Sequence, residues 1–190
     1  MAKKNPTKVY DDLGRRDEVL DFVADELLRL VKRWPAYKKL GMEGELKRMI
    51  RYLTGAYVAP RSNSTYVLRS EKANDCLNVS NNAKGLVYDH VVPLEELFKR
   101  LAPNEKEKNT TPLLTKEDIS TLLRKTFFMV LITEQENKLF SKPDVRLRSG
   151  MPDGCDWEKD PFARYKHKNC KIKVFNGNGK RISYSGTCNI

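Results

Sequence analysis

The chain has 190 residues, 39% hydrophobic and 32% charged, which suits one domain with a core of ordinary size. The 36 Lys and Arg outnumber the 25 Asp and Glu and give a net charge of +11. This balance favours a polyanionic partner, nucleic acid first and an acidic membrane surface second. No segment reaches the roughly 18 uninterrupted apolar residues of a membrane span, so we expect no membrane association through such a segment.

The N-terminal part is predicted to be helical. Residues 16–34 carry apolar side chains at the i, i+3, i+4 spacing of an amphipathic helix, which Pro35 is expected to end. A second helix is predicted over residues 43–57, with Lys47, Arg48 and Arg51 around its apolar face, either as a solvated surface or as a phosphate contact. The polar stretch that follows holds one short predicted helix at about 66–76, and then a loop rich in Ser and Asn.

The middle of the chain begins with a short predicted strand, GLVYDHVVP, at residues 85–93. Helical spacing resumes at 94–101. The charged, proline-flanked stretch 102–112 is predicted to be a connection, and residues 116–125 form a further predicted helix with Thr115 as its N-cap.

The most apolar run of the chain is FFMVLI, residues 127–132, and it predicts a buried strand. Thr133, followed three positions later by Glu136, has the pattern of a capping box, so a helix is predicted to begin at Thr133. This helix would carry Asn137 in its first turn. Beyond it, a turn-rich stretch leads to a short predicted helix from Asp160, and KIKVFNGNGKRISY at 171–184 predicts a β-hairpin.

The four cysteines are widely spaced and form no C-x-x-C pair, so neither a zinc knuckle nor a redox motif is indicated. We expect four free thiols in a reducing compartment. The N-terminus has positive charge but no apolar segment of a secretory signal, which adds to the expectation of a soluble, cytoplasmic protein. These cysteines are Cys76, Cys155, Cys170 and Cys188.

Asp89 and His90 stand side by side on the predicted strand 85–93, where a charged neighbour is poorly suited to a buried sheet. The order strand, strand, helix that leads from this pair to Asn137 resembles the HNH, or ββα-metal, nucleases. The resemblance implies that His90 is the general base and that Asp89 and Asn137 bind one Mg²⁺ or Mn²⁺ ion. His90 and Asn137 lie 47 positions apart (137 − 90), so the resemblance implies a helical insertion at 94–126.

The residues themselves leave other roles open. His90 could instead be a structural histidine of the strand that is hydrogen-bonded to its surroundings. Asp89 could be a carboxylate of a turn or of a salt bridge. An asparagine such as Asn137 is common in the first turn of a helix. For Glu136 the favoured role is that of a helix cap, and a role in the site comes second. A later ligand of the family has no regular match here, although His167 and Asn169 are nearby candidates, with His167 more typical of a surface residue.

Basic residues suggest where a phosphate backbone would lie. Arg146 and Arg148 could clamp phosphates, or they could be alternating charges on an edge strand. Residues 161–190 contain no Asp or Glu, and Tyr165, Phe175 and Tyr184 are interleaved with cations, as in surfaces that bind unpaired nucleic acid. The alternative is a solubilising tail whose aromatics pack in the core. The cations of this region are Arg164, Lys166, Lys168, Lys171, Lys173, Lys180 and Arg181.

The expected fold class is α+β, predominantly helical, with a small ββα-like core and a C-terminal β-hairpin. Its parts are a helical region 1–84, a core 85–150 and a basic region 151–190, together in one compact domain. The function predicted with the resemblance is a metal-dependent nuclease that hydrolyses phosphodiester bonds, in DNA rather than RNA, with a homodimer left open. The alternatives are a nucleic-acid-binding module without enzymatic activity and a protein that docks on an acidic protein.

Overall fold

The computed structural model describes residues 13–58, 68–80, 84–102, 115–176 and 179–182. These residues form an α+β fold with eight helices and one four-stranded mixed sheet, so the predicted fold class is confirmed. Some predicted features lie outside the described residues. They are most of the connection 102–112, the end of the Ser- and Asn-rich loop, Tyr184 and Cys188.

Three helices open the described chain: α1 (Leu13–Lys32), α2 (Trp34–Lys39) and α3 (Glu43–Val58). The apolar stripe of α1 is buried, with Leu20, Val23 and Leu27 inaccessible to solvent. Pro35 does not end the helical region as predicted. It stands in the first turn of α2, where a proline is tolerated because that N–H has no partner within the helix.

Five further helices lie among the strands. The helix predicted over 66–76 is wrong in its first part, because residues 68–70 form a strand and the helix begins at Glu71. There the hydroxyl of Ser70 accepts the Ala73 N–H at 3.0 Å. The Thr115 hydroxyl accepts the Asp118 N–H at 3.1 Å, as predicted for an N-cap. The helices are α4 (Glu71–Ser80), α5 (Leu94–Leu101), α6 (Lys116–Thr126), α7 (Glu134–Leu139) and α8 (Ala163–Lys166).

The sheet has the strand order β2-β3-β1-β4, which places β2 at an edge. β2 pairs antiparallel with β3, β3 parallel with β1, and β1 antiparallel with β4. The strands predicted around Asp89 and in FFMVLI are β2 and β3. The predicted hairpin is present in short form, since Phe175 of β4 bridges to Arg181. The strands are β1 (Leu68–Ser70), β2 (Leu86–His90), β3 (Met129–Thr133) and β4 (Val174–Phe175).

The predicted capping box sets the start of α7 at the end of β3. Thr133 accepts the Glu136 N–H at 3.1 Å, and the Glu136 carboxylate accepts the Thr133 N–H at 2.9 Å. The same buried carboxylate accepts the Ser70 hydroxyl at 2.6 Å and so ties α7 to β1. Glu136 is therefore a structural residue, and the order strand, strand, helix exists with α5 and α6 inserted between the two strands.

Two main clusters of buried apolar residues support the end of β2. A helical cluster joins α1, α3, α5 and α6 and includes Phe127. A second cluster covers one face of the sheet and includes Val130, Phe140, Phe162 and Tyr165. Because successive side chains of a strand point to opposite faces, neighbours on β2 meet different surroundings. Within the described ranges, none of the helices is long and apolar enough to cross a membrane.

The cysteines differ from the prediction at one position. Cys76 and Cys170 form no disulfide, but Cys155 is disulfide-bonded. The prediction of four free thiols is therefore wrong at Cys155. Sequence spacing could not show this, because a disulfide requires two cysteines to be close in the folded chain and not along it.

Candidate functional site

Asp89 and His90 end the edge strand β2 and point to opposite faces of the sheet, as the alternation of a strand requires. In the ladder, Asp89 lies opposite Val130 and His90 opposite Met129, at the beginning of β3. Asp89 meets the cluster that contains Tyr165, whereas the ring of His90 lies edge-on to Phe127 with 5.5 Å between centroids. The side chains of the two adjacent residues therefore have separate partners.

The carboxylate of Asp89 is engaged by two side chains of helix α8. The same oxygen, Oδ2, accepts hydrogen bonds from the Arg164 guanidinium and from the Tyr165 hydroxyl. Burial and the Asp89 carboxylate raise the pKa of Tyr165 well above its ordinary value, against the opposing effect of Arg164, so the phenol keeps its proton and donates. The salt-bridge role that the sequence left open for Asp89 is thus present.

Arg164 joins the end of β2 to the segment that carries Arg148. Its guanidinium donates to the backbone carbonyl of His90 and, at 3.1 Å, to the carbonyl of Leu147. It also lies over the Phe140 ring, 4.4 Å from the centroid, and its side chain is only 1% exposed. Burial by itself would lower the pKa of Arg164, but Tyr165 and Asp89 outweigh it and raise this pKa. Arg164 is therefore a buried charged residue whose hydrogen bonds connect α8, the end of β2 and the segment at Leu147.

His90 is neutral at pH 7 because of where it lies. Burial lowers its pKa to about 4, with Asp89 raising it and Arg164 and Arg51 lowering it further. Its Nε2 atom is buried and has no hydrogen-bond partner among the described residues. A neutral imidazole can accept a proton, although a pKa of about 4 makes it a weak base.

An open cavity of about 490 Å³ lies at the end of β2. Arg51 from α3, Arg148 and Arg164 bring positive charge to it. Two carboxylates also line it, but Asp89 is paired with Arg164, and Glu95 accepts a hydrogen bond from Lys47 at 2.9 Å. The lining residues are Arg51, Tyr88, Asp89, His90, Pro93, Leu94, Glu95, Arg148, Ser149 and Arg164.

The two arginines predicted as a phosphate clamp have different positions. Arg148 is exposed, lines the cavity and makes no hydrogen bond or ion pair within the described part of the chain. Arg146 is also exposed, but its Nε donates to the Pro143 carbonyl at 2.9 Å and it does not line the cavity. Arg146 has a positive φ of 52°, which marks a sharp change of chain direction just before Arg148. Of the two arginines predicted as a clamp, only Arg148 therefore lines the cavity.

The other predicted residues are spread over the molecule. Asn137 is half-buried on α7, which begins at the end of β3 that pairs with Leu86, and it does not line the cavity. Lys166 pairs with the buried Asp160 at 2.8 Å, and Lys173 pairs with Glu71 at 3.1 Å. The cations exposed elsewhere are Lys168, Lys171, Lys180 and Arg181. Of the predicted basic residues, the cavity brings together Arg148 and Arg164 with Asp89 and His90.

The donor set at the end of β2 does not suit a divalent cation. Asp89, the proposed ligand, already neutralises Arg164, and Arg51 and Arg148 line the same cavity, so an added cation would meet repulsion. In the described residues no three His, Cys, Asp or Glu side chains converge on a point. The arrangement instead favours an anion.

Sequence reasoning missed Tyr88 as a cavity residue and assigned Arg164 to a basic surface. It placed Arg51 on a helix face that is either solvated or in contact with phosphate, but it did not connect this face with β2. Arg51 comes from a helix far along the chain, so no local pattern could associate it with β2. For Arg164 a signal did exist, since Ala163 and Tyr165 flank it on both sides. A cation between apolar residues is a candidate partner for a carboxylate that must be buried, such as Asp89.

No family model, curated protein or solved structure matches the chain.

Proposed function

We propose that the protein binds nucleic acid and that the cavity at the end of β2 holds a phosphate group of the backbone. The observation that supports this most is the convergence of Arg51 and Arg148 on one concave site that also contains a neutral histidine. The net charge of +11 adds a long-range attraction for polyanions. A strongly basic chain has the electrostatic character expected of a protein that binds nucleic acid.

The charges of the cavity support an anion more than a cation. Asp89 is neutralised by Arg164 and Glu95 is paired with Lys47, so the positive charge of Arg148 is left for a ligand. A guanidinium presents a planar fork of donors that matches two phosphate oxygens. Ser149 and the neutral His90 can add hydrogen bonds without adding charge.

Replacing Arg148 by glutamine is expected to weaken binding to nucleic acid about tenfold and to lower the slope of log K against log salt by about 1, because one phosphate contact is lost. Fluorescence anisotropy with labelled DNA and RNA over a salt series measures both quantities. Arg146→Gln is the matched control, because it removes the same charge two residues away and outside the cavity. Equal losses in both variants would exclude the cavity as the phosphate site, and an absence of binding at low salt would overturn the proposed function.

Hydrolysis of a phosphodiester bond is a second candidate function, in keeping with the HNH-like resemblance. One observation favours it: His90 is neutral, lines the cavity and lies beside cations that would hold a phosphate. In this proposal His90 takes a proton from the attacking water. The Mg²⁺ or Mn²⁺ ion implied by the resemblance has no fitting site in the described residues, so its requirement is a matter for the test.

For the nuclease we expect cutting of plasmid DNA or structured RNA to fall in His90→Ala at least tenfold more than binding does, because a general base contributes a factor of about 10²–10⁴ to the rate. The assay is run with Mg²⁺, with Mn²⁺ and with EDTA. Cutting that is equal in wild type and His90→Ala, or absent under all three conditions, would leave a binding module. The preference for DNA over RNA stays a prediction, as does the formation of a homodimer. The same preparations can test both.

The compartment in which the protein works also remains a prediction. A cytoplasmic location was expected in part from four free thiols, and the disulfide at Cys155 removes that part of the support. Disulfides persist mainly in oxidising compartments.

A further inference from the structure

The cavity at the end of β2 is larger than a single phosphate group requires. Its volume of about 490 Å³ falls within the range of about 300–1,000 Å³ that is typical of pockets for whole small molecules. A backbone phosphate held at Arg148 would leave most of this volume unfilled. The site therefore has room for more of the nucleotide than its charged group.

The walls of the cavity are of two kinds. Arg51 and Arg148 supply positive charge, whereas Tyr88, His90 and Pro93 supply ring surfaces. Tyr88 is half-buried, but its hydroxyl is buried, so the residue presents its carbon-rich part and not its polar end. A charged wall beside a wall with ring surfaces is complementary to a nucleotide, whose phosphate and base have these two characters.

Buried polar atoms without partners lie on residues of the same cavity. In the described part of the chain, the Tyr88 hydroxyl, Nε2 of His90 and Nε of Arg164 have no hydrogen-bond partner. Unsatisfied buried groups cost free energy, so a ligand that offers donors and acceptors gains by reaching them. Because the three atoms are buried, a ligand reaches them only when the side chains that cover them shift locally.

We infer that the cavity takes one whole unpaired nucleotide, with its base against Tyr88 and its phosphate at Arg148. This rests on the proposed function and names its substrate class as single-stranded nucleic acid, or a duplex from which a base has been extruded. In an intact duplex the bases are stacked and paired, so extrusion of one base costs free energy. Binding of a single strand does not require this step.

The test measures binding of the full chain to a short labelled single strand and to the duplex of the same sequence, by anisotropy at one salt concentration. We expect the single strand to bind about tenfold more tightly, and Tyr88→Leu to remove this preference by removing the aromatic ring. Tyr52→Leu is the control, because Tyr52 is 70% exposed on α3 and does not line the cavity. Thermal unfolding checks that each variant is folded.

A second measurement does not depend on the Tyr88 variant. A nucleoside 5′-monophosphate is expected to displace the labelled strand from the wild-type protein at a concentration where inorganic phosphate does not. Equal binding of strand and duplex, with equal competition by nucleotide and phosphate, would overturn the nucleotide pocket and leave the proposed function intact. Failure of both strand and duplex to bind at low salt would overturn the proposed function and the pocket with it.

Discussion

Replacement of Asp89 by alanine is expected to lower the free energy of unfolding by about 3–5 kcal/mol. The variant leaves the guanidinium of Arg164, 1% exposed, without its counter-charge, and it also removes the acceptor of the Tyr165 hydroxyl. Removing one partner of a buried pair costs far more than the pair contributes, because the remaining charge stays buried and unpaired. Urea unfolding monitored by circular dichroism measures the loss.

Two control variants separate this effect from the general cost of losing a carboxylate. Asp25→Ala breaks an exposed ion pair with Arg29, whose side chain is 64% exposed, and is expected to cost less than about 1 kcal/mol. Asp89→Leu combined with Arg164→Met removes both buried charges and is expected to recover much of the loss. If Asp89→Ala costs no more than Asp25→Ala, the Asp89–Arg164 pair does not stabilise the fold in the way described.

The same variant distinguishes the two roles of Asp89. A carboxylate kept for binding a metal ion is surrounded by like charge or water, so its removal leaves stability unchanged or raises it. A carboxylate that neutralises a buried arginine gives the opposite result. A large loss of stability in Asp89→Ala would therefore support the structural role and weigh against the metal-ligand role that the HNH-like resemblance implies.

A fall in pH from 6.5 to 4 is expected to destabilise the wild-type protein, through His90, by up to about 3 kcal/mol. Burial lowers the pKa of His90 from 6.5 to about 4 in the folded protein, so in this window the unfolded chain binds a proton that the folded protein does not. About one pH unit or more above the unfolded-state pKa of 6.5, both states are neutral at this residue and the effect vanishes.

The measurement compares unfolding of wild type and His90→Gln across this pH range, because the variant lacks the titrating group but keeps a polar side chain. The difference in free energy of unfolding between the two proteins should shrink as the pH falls. His167→Gln, which removes the other histidine of the chain from a position outside the cavity, is the control for the loss of an imidazole as such. A difference that is constant with pH would show that His90 titrates normally.

Local patterns were enough for several elements that position the site. The capping box at Thr133 and Glu136 located the start of α7, and the apolar run before it located β3. A capping box satisfies backbone groups within one turn, so its signal is contained in a few residues. The apolar stripe of α1 was also predictable from the sequence, because helical spacing itself places those side chains on one face.

The strand β1 was not predictable in this way. It has only three residues, Leu68–Ser70, and the sequence predicted a helix there. Its conformation depends on pairing with Val130 and Leu131 of β3 and with Phe175 of β4, which lie far away in the chain. Such pairing outweighs the weak preferences of three residues.

The sequence by itself determined that Asp89 and His90 end a strand, that a capped helix follows β3, and that the chain carries a large positive charge. Only the tertiary structure decided what the pair does. It brought Arg164 to Asp89 across 75 positions and Arg51 toward His90, and it buried the imidazole so that its pKa falls to about 4. Partner choice and burial depend on which segments pack together, and the spacing of residues along one strand does not contain that information.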